Sequence, residues 1–135
     1  REMGRTAGGV RGIRIRPSDA VVGAGVVEKG DDAELLVLSQ LGFGKKTPIK
    51  EYKVQGRGGS GIKTSAVTPK TGPVIAAMVV GKGGELVAMS QKSQVIRTGL
   101  DEIRSAGRAT QGVRVMKLRP GDKIAACVVL VGAEE

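Results

Sequence analysis

Gly4-Arg5-Thr6-Ala7-Gly8-Gly9-Val10-Arg11 returns as Gly56-Arg57-Gly58-Gly59-Ser60-Gly61-Ile62-Lys63, and again as Gly107-Arg108-Ala109-Thr110-Gln111-Gly112-Val113-Arg114. The copies are spaced 52 and then 51 residues apart, from Gly4 to Gly56 and from Gly56 to Gly107. Each keeps Gly-Arg, a glycine four residues after the arginine, a β-branched residue and then a base. A fixed period of this length marks a modular array in which each unit buries its apolar face against its neighbours.

Working outward from the Gly-Arg loop, each copy divides in the same way. A first strand is expected over residues 10–16, 62–68 and 113–119, with Ile13-Arg14-Ile15-Arg16 alternating as a half-buried strand does. Turns follow at Pro17-Ser18-Asp19, Pro69-Lys70-Thr71-Gly72 and Pro120-Gly121-Asp122. A second, continuously apolar strand covers 21–27, 74–80 and 124–131, which predicts burial on both faces. Third strands are expected at 35–39 and 86–90, and fourth strands at 45–52 and 95–103. Pro48 lacks an N–H, so its strand lies at an edge or breaks there.

Four short strands per repeat is the pattern of a propeller-type blade. The expected fold is all-β, with repeats at about 1–52, 53–103 and 104–135 packed as one domain over 1–135. The third copy ends after its second strand. An open array leaves bare sheet edges, which predicts a dimer or a strand-exchanged assembly. The chain opens on Arg1 inside a repeat joint, so it reads as a piece of a longer polypeptide.

Composition agrees with strands. The 135 residues include 22 glycines, and each interior Gly costs a helix about 1 kcal/mol. There is one Phe, one Tyr and no Trp, so Val, Ile, Leu, Ala and Met must fill the core. Cys127, the single cysteine, lies in an apolar run and reads as core filler. One cysteine and no histidine offer neither a zinc cluster nor a His-based catalytic pair, so metal binding and catalysis are both disfavoured. No apolar run is long enough for a membrane helix, and no signal peptide is visible. Gly42-Phe43-Gly44-Lys45-Lys46-Thr47 resembles a phosphate loop but fails: Lys46 stands where Ser or Thr must follow Gly-Lys, and Ser39 where the first Gly belongs.

Charge supplies the functional signal. Lys and Arg number 22 against 13 Asp and Glu, a net +9, which favours a polyanionic partner. The bases ride on the repeat. Arg5, Arg57 and Arg108 sit in the Gly-rich loops, where backbone N–H groups can join a guanidinium in holding phosphate. Arg11, Lys63 and Arg114 follow six residues later, and Arg14 lies on the first strand. Lys45, Lys46, Lys92 and Arg97 cluster about the third-to-fourth strand turn, and Arg1, Lys53 and Arg104 open the copies. Bases at equivalent points of equivalent blades predict a phosphate track. The scarcity of aromatic rings argues against stacking on single strands and for duplex DNA held by its backbone. The alternative is a propeller-like interaction module whose basic rim binds acidic protein segments.

Met3-Gly4-Arg5-Thr6-Ala7, Gly44-Lys45-Lys46-Thr47-Pro48 with Glu51-Tyr52, residues 55–64, Val95-Ile96-Arg97-Thr98 and residues 107–113 resemble the C-terminal domain of bacterial DNA gyrase A, with its topoisomerase IV counterpart as near neighbour. The resemblance implies a β-pinwheel: a six-bladed, propeller-like ring whose blades exchange strands, of which this chain holds about two and a half. It implies a non-catalytic module that bends duplex DNA around a basic rim and so supports negative supercoiling. It also implies partners in the rest of the gyrase A polypeptide and in gyrase B, a bacterial cytoplasmic and nucleoid setting, and ATP and Mg used only in parts outside this chain. The family's box, Gln-Arg-Arg-Gly-Gly-Lys-Gly, has its nearest match at 55–61. Gly56 and Ser60 replace its second and sixth residues, so this reads as a later blade's degenerate copy. Tyr52 ends a repeat's fourth strand and is not the family's strand-cleaving tyrosine.

Overall fold

A computed structural model describes residues 2–132. Its strands are β1 (Glu34–Ser39), β2 (Phe43–Pro48), β3 (Val74–Val80), β4 (Glu85–Ser90), β5 (Val95–Gly99), β6 (Val113–Arg114) and β7 (Ile124–Leu130). Short 3-10 helices, Ile49–Glu51 and Leu100–Glu102, follow β2 and β5. Pro48 closes β2, as its missing N–H requires. The strands form two antiparallel sheets, ordered β3-β1-β2-β6 and β5-β4-β7.

Neither sheet is built from one repeat. β1 and β2 are the third and fourth strands of copy one, β3 is the second strand of copy two, and β6 is the first strand of copy three. The second sheet repeats the scheme one copy later: β4 and β5 from copy two, β7 from copy three. A blade therefore takes a hairpin from one copy, a strand from the next and a short strand from the one after. The register repeats as well. β1 and β4 both slip against their second-strand partners just before a buried serine, Ser39 and Ser90.

This exchange corrects two expectations. Residues 10–16 and 62–68 form no strand, and residues 113–119 pair only at Val113–Arg114. Nor is 21–27 a strand. A first or second strand needs a hairpin from an earlier copy, and these segments have none to pair with. All of residues 2–32 are exposed, Val26 at 88 %. The second strands are also not buried on both faces: Val128 and Leu130 of β7 are exposed, while Ile124 is buried. Among the described residues β5 likewise has no strand on its outer edge like the one β6 supplies to β2.

The core lies between the sheets. Leu36, Val80, Leu86, Leu100 and Ile103 form one cluster, and Leu38, Ala88, Met116 and Ile124 a second. Half-buried Cys127 packs against both, and burial pushes its thiol pKa up, as suits a core filler.

The two hairpin turns differ at the position that takes a positive φ. Gly42 turns β1 into β2 with φ +91°, whereas Ser93, at the equivalent turn, is held at φ +63°. A side chain there is strained. Ser93→Gly is expected to stabilise the fold by about 0.5–1 kcal/mol, read as a higher urea midpoint.

Candidate nucleic-acid interface

Strand exchange brings bases from different copies together. On one side the Gly-Arg loop of copy two docks on copy one: Gly58 N–H donates to the Gly12 carbonyl and Arg14 N–H to the Gly59 carbonyl, each at 2.8 Å. Arg14, Arg16 and Lys63 then line one cleft of about 540 Å³, with Asp19 the one acid among the described residues that line it. Arg108 of copy three extends this row, its guanidinium donating to the Lys63 carbonyl at 3.1 Å. Arg5, Arg11 and Arg57 are exposed.

A second basic cleft, of about 220 Å³, draws on all three copies. Lys70 comes from copy two, Arg114, Lys117 and Arg119 from copy three, and Phe43 from copy one. Phe43 is 5 % exposed, so it offers no stacking face. Its ring instead fixes two of the cations, with Lys70 Nζ 5.4 Å and Arg114 Cζ 5.5 Å from its centroid. Asp122 lines this cleft too, but its Oδ1 accepts the Lys92 and Lys123 N–H groups at 3.0 and 2.8 Å. Burial pushes the Asp122 pKa up; hydrogen bonds from Ser90, Lys123 and Lys92, with the Lys92 charge, more than offset this and leave it below the ordinary value. Lys92 itself donates to the Pro120 carbonyl at 3.1 Å, beside the same turn.

The structure moves two of the expected contacts inward. Lys45 is 1 % exposed and Lys46 8 %, so neither faces solvent as a phosphate ligand would. Their side chains leave β2 on opposite faces, Lys45 onto the carbonyls of the 107–110 loop and Lys46 toward Glu34. Lys46 pairs with Glu34 at 3.4 Å. The equivalent pair in copy two is Arg97 with Glu85, where Nε donates to Oε2 at 2.7 Å. That hydrogen bond raises the Arg97 pKa, and the guanidinium stays exposed. Lys45 Nζ spends its donors on loop carbonyls; burial lowers its pKa, with Glu51 acting in the opposite direction.

Arg16, Lys70, Lys117 and Arg119 were not among the expected contacts. A signal for three of them was present: Arg11-Arg14-Arg16 and Arg114-Lys117-Arg119 share one spacing, which copy two breaks with Ala66 and Thr68. Arg1 lies outside the described residues. Among the described residues no group of three or more His, Cys, Asp or Glu is placed to hold a metal ion, and no helix is long and apolar enough to cross a membrane.

The family model described as the DNA gyrase C-terminal domain, beta-propeller, matches residues 1–28, 33–81 and 84–130. The chain belongs to that family. Among relatives of the gyrase C-terminal domain, DNA gyrase A of Lawsonia intracellularis is 49 % identical over 122 residues, which is 90 % of this chain and 15 % of that protein. DNA gyrase A of Thermotoga maritima is 38 % identical over 131 residues, 97 % of this chain and 16 % of the relative. The chain thus spans about a sixth of the length of these curated relatives. A solved topoisomerase IV C-terminal domain matches the fold with TM-score 0.79 at 19 % identity, over 90 % of this chain and 38 % of that one. A solved gyrase A C-terminal domain matches with TM-score 0.69 at 24 % identity, over 76 % and 35 %.

Proposed function

We propose that this gyrase C-terminal domain is a non-catalytic module that holds and bends duplex DNA by its phosphates. The supporting observation is the pair of basic clefts, each assembled from more than one copy, one lined by Arg14, Arg16 and Lys63 against Asp19, the other by Lys70, Arg114, Lys117 and Arg119 against Asp122. Guanidinium and ammonium groups set out in this way neutralise successive phosphates and release counterions, without reading base edges. The chain has only two aromatic side chains, and Phe43 is buried, so it offers no platform of rings for successive bases to stack on. Bending a duplex costs about 1–6 kcal/mol over a site of two to three turns, and charge contacts along a curved rim offset that cost.

The module works as part of a type II topoisomerase, with the rest of the gyrase A polypeptide and gyrase B as partners, in the bacterial cytoplasm at the nucleoid. Strand cleavage, and the holoenzyme's use of ATP and Mg, belong to those other parts. The free β5 edge favours strand-exchanged pairing with another copy or another repeat. Competition tests the reading: a labelled duplex bound to the full chain should be displaced by an unrelated duplex of equal length and not by an acidic peptide of equal charge. Displacement by the peptide alone would instead make the rim a protein-docking surface.

A further inference from the structure

We propose that Lys45 is a positioning residue: its buried ammonium gathers the carbonyls of the third copy's Gly-Arg loop and so turns Arg108 outward toward a phosphate. Lys45 Nζ lies 2.7 Å from the Gly107 carbonyl, 2.8 Å from that of Arg108 and 2.9 Å from that of Thr110, with the Thr110 hydroxyl at 3.2 Å. Three ammonium protons meet a cluster of acceptors contributed by a segment more than sixty residues away.

Neighbouring contacts hold the same loop. Thr47 Oγ1 donates to the Ala106 carbonyl at 2.7 Å, and Glu51 accepts the Arg108 N–H at 3.3 Å. With its carbonyls drawn inward, the loop sends the Arg108 side chain the other way, onto the Lys63 carbonyl at the end of the first basic row. Without Lys45 those oxygens are free to turn outward, and carbonyl dipoles pointing at a phosphate repel it.

The device is particular to this pair of copies. Copy two carries Val95-Ile96 where copy one has Gly44-Lys45. Ile96 has no donor to gather carbonyls, and the close packing of the loop on copy one depends on Gly112, where an added Cβ would overlap the Gly44 carbonyl. Sequence distance hides this role, because a lysine in a Gly-Lys-Lys-Thr run reads as a surface phosphate ligand.

The Arg108 part of the inference rests on the phosphate-contact reading above; the loop part does not. The test uses Lys45→Met in the full chain, with two readouts. In amide hydrogen exchange, Arg108 and Thr110 should exchange about tenfold or more faster while β1 and β4 keep their protection. In duplex binding, the log–log salt slope should fall by about 0.9, as for Arg108→Ala, and the double variant should lose no more than either single one. Thr110→Val, which trims the exposed edge of the cluster, carries the same readouts in milder form if Lys45→Met does not fold. Unchanged loop exchange, or slope losses that add in full, would overturn the proposal. Absence of duplex binding by the parent chain would sink the functional reading and Arg108's role with it, leaving the exchange result to judge the loop.

Discussion

Affinity of the full chain for duplex DNA is expected to fall by about 10⁴ between 50 and 200 mM salt. Eight bases lie on the two rows: Arg14, Arg16, Lys63 and Arg108 on one, Lys70, Arg114, Lys117 and Arg119 on the other. Each phosphate contact contributes about 0.9 to the log–log slope, so eight give a slope near −7, and a fourfold rise in salt then costs about four decades. The fold itself should ignore this range of salt, because its core is Leu, Val, Ile, Ala and Met between two sheets. Circular dichroism across the titration separates the two effects. Affinity that stays flat while the spectrum holds would refute phosphate contact as the source of binding.

Gly42→Ala is expected to destabilise the chain by about 4 kcal/mol, a large share of the 5–15 kcal/mol typical of a domain. Two causes combine. Gly42 adopts φ +91°, which strains any side chain, and an added Cβ would overlap the Met116 carbonyl oxygen. The Gly42 carbonyl also accepts the N–H groups of Val115 and Met116, at 2.8 and 3.1 Å. Displacing it would peel β6 from β2 and move Arg114 and Lys117 with it, so duplex binding should weaken together with stability. Gly81→Ala is the control: nothing lies within 4 Å of its added Cβ, and its midpoint in urea should barely shift. Equal midpoints for the two variants would show that the Gly42–Met116 contact does not hold the blades together.

The hairpins were legible because they are local. β1–β2 and β4–β5 each close through a short turn, and their apolar runs and turn residues announce them without help from the rest of the chain. The first and second strands were harder, since a segment such as Val113–Arg114 becomes a strand only when the fourth strand of a copy two repeats earlier lies beside it. Residues 10–16 carry a clean alternation and still form none. Periodicity records which face a segment would bury, not whether a partner is present to bury it.

The candidate site divides the same way. Lys63 and Arg114, equivalent in the repeat, are both exposed but line different clefts. Lys45 is not exposed, because a set of carbonyls more than sixty residues away decides its burial. Lys70 was missed for the opposite reason: it breaks the repeat, and only the folded chain sets it across Phe43 from Arg114. Both cases follow from strand exchange, which makes neighbours of residues from different copies.

The central claim is that bases brought together across copies hold the DNA backbone. The most direct measurement is the salt slope of the triple variant Arg114→Gln, Lys117→Gln, Arg119→Gln against the parent chain, with the fold checked by circular dichroism. Loss of three phosphate contacts predicts a slope shallower by about 2.7, with the same loss on unrelated duplexes. A folded variant that keeps the parent's slope would contradict the claim.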